Sequence, residues 1–271
     1  MRQSSQNGPS CPSESRKAAR YARGRERGAA VVVGLFTLAL AGCMDVPVPD
    51  PLVRYIAFGD SSTAGPSDRD YADVLRDMLA EPPEAFANEG RGGETAAEGL
   101  ERLRFLLDNR IYPNAHALLY WEGGAPVVDF IGEVDPLLLL SPDSTGYPFS
   151  NQLDQLLNDI QGQVEAAIEA AQNAGLAVYV ATYYMIPPFV LPCERLLLDL
   201  ILPLQAGNGN AYIARLNEHL RQAAANRSAI LIDVAAIEGL SADPGNFFDC
   251  NHLSTEGNQI VAERFFEVLG P

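Results

Sequence analysis

The chain has 271 residues, with 19 basic and 35 acidic side chains and a formal net charge of −16 at neutral pH. Residues 1–42 hold seven of the basic and two of the acidic residues, so residues 43–271 have 12 against 33, a net charge of −21, and no lysine. That balance argues against partners met through dense negative charge, namely nucleic acid and anionic lipid headgroups.

In chain order, residues 16–27 (RKAARYARGRER) are densely basic, and 28–42 (GAAVVVGLFTLALAG) are apolar or small without a break. This is the charged n-region and apolar h-region of a secretory signal. The apolar run is shorter than the ~20 residues that a membrane-spanning helix needs. Leu40-Ala41-Gly42-Cys43 resembles the lipobox of bacterial lipoprotein signals. That resemblance implies cleavage before Cys43, acyl chains on Cys43, a lipid-anchored linker over 43–52 and export to the cell envelope. Attachment to a membrane would then come from the lipid rather than from a basic patch. An uncleaved N-terminal anchor, or a plain signal with an incidental cysteine, are the alternatives.

Beyond residue 52, nothing reads as an internal linker or a repeat, so 53–271 is expected to form one domain. Strand-like apolar runs fall at 53–58, 116–121, 176–183 and 229–234, with a weaker one at 84–88. Between them lie helix-like stretches at 70–80, 95–109, 150–174, 208–226 and 255–269. Asp70 is a suitable N-cap for the first, and Gly175 a suitable stop for the long third. Alternation of short apolar strands with amphipathic helices predicts an α/β fold, a parallel sheet covered by helices on both faces. In such sheets function gathers at the carboxyl ends of the strands. Two proline-punctuated apolar segments, 132–149 and 185–204, leave the carboxyl ends of the third and fourth strands. They read equally as core-capping loops and as an apolar wall for an acyl or aromatic group.

The first strand runs out into Gly59-Asp60-Ser61-Ser62, which puts Ser61 at the functional rim. A serine hydroxyl is a weak nucleophile unless a neighbouring base takes its proton. Of three histidines, His116 begins a strand and His219 lies within a helix, both settings of structural or solvated residues. His252 lies in a loop, FFDCNHLSTEGN, with Asp249 three residues before it. That spacing lets the carboxylate fold back onto one ring nitrogen, fixing the tautomer and stabilising the imidazolium, while the other nitrogen acts as base. One His and one Asp are too few to hold a metal. Cys193 and Cys250 are an even pair in an exported chain, which predicts a disulfide, two separate thiols being the alternative.

Three blocks in order, FGDSSTAG at 58–65, NEGRGGET at 88–95 and DCNH at 249–252, resemble those of the SGNH, or GDSL-type, serine hydrolases. The likeness runs from about Arg54 to Leu269. It implies a three-layer α/β/α, flavodoxin-like sheet of about five strands and an esterase or lipase that needs no cofactor. By motif position, Ser61 would be the nucleophile, His252 the base and Asp249 its partner. The backbone N–H groups of Ser61 and Gly93 would hold the oxyanion. One block departs from the family. Where it has Gly-x-Asn-Asp after the third strand, with the Asn side chain as a third oxyanion donor, this chain has Gly123-Gly124-Ala125-Pro126. Asn88 and Asn251 are the nearby residues able to supply a replacement amide. The expectation is therefore a serine esterase acting on small or medium acyl esters through an atypical oxyanion hole. The alternative is a catalytically weak relative that binds an acylated ligand or glycan at the envelope.

Overall fold

The structure, a computed structural model, describes residues 47–193 and 199–270. The signal-like segment and Cys43 lie outside the described residues. Five strands form one parallel sheet: β1 (Tyr55–Gly59), β2 (Phe86–Gly90), β3 (Ala117–Trp121), β4 (Ala177–Ala181) and, after a short antiparallel pair of β5 (Leu191–Pro192) and β6 (Leu200–Ile201), β7 (Ile230–Ile232). Its order is β2-β1-β3-β4-β7. Every residue of β3 is buried, as an uninterrupted apolar run in the middle of a parallel sheet requires. The weak strand candidate becomes β2, an edge strand set two residues later than its sequence signal.

The helices are α1 (Ser61–Ala64), α2 (Tyr71–Met78), α3 (Ala96–Asp108), α4 (Gly124–Val134), α5 (Ser150–Asn173), α6 (Pro203–Asn226) and α7 (Thr255–Leu269). α2 packs on α7, while α3, α5 and α6 pack in a row, so the sheet has a helical layer on each face. Their starts follow local chemistry. The Asp70 carboxylate accepts the Asp73 N–H at 2.9 Å, and Thr95 with Glu98 forms a reciprocal capping box. Pro203, whose missing N–H has no intrahelical role at that position, opens α6 five residues before the sequence signal. The pattern gives no sign of α4, because Gly-Gly-Ala-Pro reads as a turn. Pro126 is tolerated there because the N–H groups of a first turn have no intrahelical acceptor.

The chain winds outward in opposite directions from the β1–β3 pair, which leaves a crevice at the carboxyl ends of those two strands. Trp121, fully buried at the end of β3, fills the space beneath it. Tyr71, Tyr183, Tyr184 and Phe265 surround its ring at centroid distances of 5.4 to 6.5 Å.

The rim also depends on close backbone approach. A Cβ at Gly90 would stand 2.2 Å from the Ala64 nitrogen, so the end of β2 fits against α1 only without a side chain. Gly90→Ala must push one backbone off the other, an overpacking that costs about 2 kcal/mol or more. We expect its melting temperature to fall by roughly 5 °C, measured by calorimetry, for a domain of this size. An unchanged value would mean that the contact between β2 and α1 yields freely.

Candidate active site

Asp60 follows the last residue of β1 and is buried. Its Oδ1 accepts the Ser62 N–H at 2.9 Å, and its Oδ2 accepts the Gly124 N–H at 3.1 Å and the Tyr183 hydroxyl at 2.5 Å. The Gly124 N–H also reaches the Tyr183 oxygen at 2.8 Å. One carboxylate thus ties the turn carrying Ser61 to the start of α4 and to the residues after β4. Burial pushes the Asp60 carboxyl above its ordinary range, and the donors from Tyr183, Ser62 and Gly124 pull against that rise. Tyr183 keeps its proton, since burial and the nearby Asp60 and Glu122 carboxyls push its hydroxyl well up.

Ser61 begins α1 and is half-buried. It lines a cavity of about 340 Å³, together with Gly92, Gly93, Gly124, Ala125 and His252. The expected nucleophile, base and first oxyanion residues therefore meet at one opening. The 88–95 turn is held from behind. Arg102 on α3 is buried with its guanidinium 3.9 Å over the Phe58 ring, and it pairs with Glu89 at 3.0 Å and with both Glu94 oxygens. Gly93 sits two residues from that turn's other anchor, where the Arg91 N–H bonds the Gly59 carbonyl at 2.8 Å.

His252 places Nδ1 at 2.9 Å from each Asp249 carboxylate oxygen, which leaves Nε2 as the ring nitrogen not engaged by Asp249. The loop is fixed at several points. The Asn251 N–H donates to Asp249 Oδ1 at 2.7 Å, and the Tyr184 hydroxyl donates to the Asn251 carbonyl at 2.5 Å. Cys250 is disulfide-bonded to Cys193, as the sequence predicts, and its N–H bonds the Pro192 carbonyl at 2.9 Å. Ser254, which caps α7 through the Gly257 N–H, ends the loop.

The remaining candidates separate cleanly. His116 packs edge-on to the Tyr55 ring at 4.8 Å, at the opposite end of the strands. His219 bonds Gln161 through Nδ1 at 2.7 Å between α6 and α5. Asn88 is turned away from the cavity: its amide donates to the Thr63 carbonyl and to Asp70, and its oxygen accepts the Gly90 N–H. Asn251 does line the cavity, as does Ala125, whose side chain has no donor. The residues of the apolar segments 132–149 and 185–204 divide between the cavity and the surface. Leu138, Ile186, Cys193 and Ile201 are buried and wall the cavity, while Leu139, Val190, Leu200 and Leu202 face outward.

Sequence reasoning passed over Asp60, Tyr183 and Arg102. The signals were present in the motif Gly-Asp-Ser itself and in two tyrosines just past the end of β4. Arg102 was the buried cation that an acidic turn at 88–95 calls for. Glu122 was also missed. It is buried just after β3, and among the described residues neither of its oxygens has a hydrogen-bond partner. Burial, aided by Asp60 and Glu94 and opposed by Arg102, pushes its carboxyl well above the ordinary 4.5.

This has a pH consequence. Between the ordinary value and the raised one, the folded protein holds a proton that the unfolded chain releases, so stability falls as pH rises. Glu122→Gln cannot ionise in either state. Its melting temperature, relative to the parent's, should therefore climb by roughly 5 °C or more from about pH 4 to about pH 8. A constant offset would show that Glu122 is ionised in the fold.

A sequence profile of the GDSL-like Lipase/Acylhydrolase family matches residues 57–260. No curated protein sequence matches the chain. Among solved structures, a member of the lipolytic protein G-D-S-L family from Veillonella parvula is 17% identical at a TM-score of 0.56, covering 80% of this chain and 97% of that one. A lipase from a goat rumen metagenome is 14% identical at 0.56, with coverages of 80% and 97%. The esterase EstA from a Pseudoalteromonas species, in a structure inhibited by monoethylphosphonate, is 14% identical at 0.51, with coverages of 80% and 96%. At these identities the likeness carries the fold.

Proposed function

The chain belongs to the GDSL-like lipase/acylhydrolase family, and from that membership we propose that it is a serine esterase working through Ser61, His252 and Asp249. The observation that carries this reading is the Asp249–His252 hydrogen-bonded pair opening on the same cavity as Ser61. In the proposed reaction, His252 Nε2 takes the proton from Ser61 Oγ as that oxygen attacks the ester carbonyl carbon. Asp249 holds the imidazole in the tautomer that presents a bare Nε2 and steadies the cation that forms. The N–H groups of Ser61 and Gly93 receive the oxyanion. His252 then gives its proton to the departing alcohol, and water releases the acid by the same steps in reverse roles.

Ala125 argues for a slower version of this chemistry, since a missing oxyanion donor costs about 3 kcal/mol, or 10²–10³ in rate. The same methyl group supports the second reading, a weak hydrolase that chiefly binds an acylated ligand or glycan. Turnover of p-nitrophenyl esters decides between them. The parent should hydrolyse them and Ser61→Ala should not, and Ala125→Asn should gain about tenfold or more in kcat if the hole lacks a donor. Equal rates for the parent and Ser61→Ala would sink the esterase reading.

We also propose that the mature protein is a lipoprotein of the bacterial envelope, anchored through Cys43. The basic stretch, the apolar run and the Leu-Ala-Gly-Cys end of that run support it. Expression in cells fed radiolabelled palmitate should label the parent, and Cys43→Ala should abolish the label. A Cys43→Ala protein that still takes up palmitate would refute the anchor.

A further inference from the structure

Resting on the esterase reading, we propose that the cavity is a slot for a medium-length acyl chain, stopped at one end by Leu138 and Ile186, with Gly209 setting its depth. Two helix faces make its walls. Val128 and Ile131 come from α4, and Ile213 and Leu216 come from α6. Gly209 lies on the α6 face at helical spacing before Ile213 and Leu216, and it lines the same cavity.

Both ends of the slot can be located. Leu216 marks the catalytic end, its Cδ1 lying 3.9 Å from the point where a Cβ on Gly123 would stand, next to the Gly124 N–H that bonds Asp60. Gly209 marks the far end, where a Cβ would stand 3.0 Å from Ile186 Cδ1 and 3.2 Å from Leu138 Cδ2. Seven residues of α-helix separate the two, about 10 Å at 1.5 Å per residue. At roughly 1.3 Å of advance per carbon in an extended chain, that length holds on the order of eight carbons.

Glycine is the least favoured residue after proline in a helix interior. At Gly209 the backbone is ordinary helix, so its conformation gives no reason for glycine. The space does. A side chain there would enter the gap that Leu138 and Ile186 close, and would shorten the slot. At the far end the side chains that line the cavity, Leu138 and Ile186, are apolar, and the neighbouring Asn208 and Asn210 amides are bonded to the Leu138 and Ile186 backbones, which suits hydrocarbon and not a sugar or an amine.

The test is the acyl-length profile of kcat/KM on p-nitrophenyl acetate, butyrate, octanoate and palmitate. Burial is worth roughly fourfold per methylene, so octanoate should exceed both acetate and palmitate by at least tenfold. Gly209→Leu should cut octanoate turnover by about 20-fold or more and keep acetate within about twofold. Ile186→Ala, which removes atoms at the closed end, should move the optimum to longer chains. An unchanged octanoate-to-acetate ratio in Gly209→Leu would overturn the proposal, as would octyl acetate being preferred to methyl octanoate. If Gly209→Leu loses acetate turnover as well, Ile186→Ala decides by the direction of its shift. If the parent hydrolyses no ester, the esterase reading fails and the slot is judged by calorimetry. Octanoate bound at least tenfold more tightly than butyrate and hexadecanoate would support it, and equal or absent binding would end it.

Discussion

The arrangement turns on the buried carboxylate of Asp60. A carboxylate out of water is costly unless it is supplied with donors. Here the donors come from three separate segments: the Ser62 N–H in the turn after β1, the Gly124 N–H at the head of α4, and the Tyr183 hydroxyl past the end of β4. Losing any one donor leaves charge uncompensated, so the three carboxyl-end turns of the central strands are held in mutual register. Ser61 stands between Asp60 and Ser62 in the turn held this way. The Asp60 N–H, bonded to the Trp121 carbonyl at 3.1 Å, extends the same tie into the sheet.

The loop bearing Asp249 and His252 is secured by a different device. It lies before α7, far in sequence from the first strand, and it has little regular structure of its own. Its anchors come from the segment after β4: the Cys193–Cys250 bond, the Cys250 N–H on the Pro192 carbonyl, and Tyr184 on the Asn251 carbonyl. Cys193 and Pro192 belong to the apolar stretch 185–204, and Tyr184 stands immediately before it. That stretch therefore has two duties, walling the cavity and holding the proposed base. A disulfide that closes 57 residues of sequence also limits the unfolded chain.

Much of this was legible in the sequence, and the rest was hidden for definite reasons. The strands β1, β3, β4 and β7 announce themselves as apolar runs, and Ser61, Asp249 and His252 as polar residues at the ends of predicted elements. The disulfide is expected from compartment and parity. α4 was hidden because glycine and proline stand in its first turn, where the sheet and Asp60 supply what the local sequence lacks. Tyr183 was hidden because its role depends on a neighbour far off in the chain, Asp60 being 123 residues away. Glu122 runs against pattern altogether, a carboxyl placed in the core. No local rule anticipates it.

The turn after β3 keeps its shape without an asparagine. Structurally the turn is complete. Gly123 takes a left-handed conformation with φ of 118°, the Gly124 N–H is bonded, and the Tyr183 ring packs so closely on Gly124 that a Cβ there would stand 2.6 Å from it. Nothing in the geometry calls for an asparagine to hold the backbone. What Ala125 lacks is a side-chain N–H donor, the group that the proposed reaction would use on the oxyanion. Asn251, which lines the cavity, is carried by the proposed base's own segment. A donor from there would be positioned by the same anchors that hold His252. The turn's shape is therefore accounted for without an asparagine at position 125.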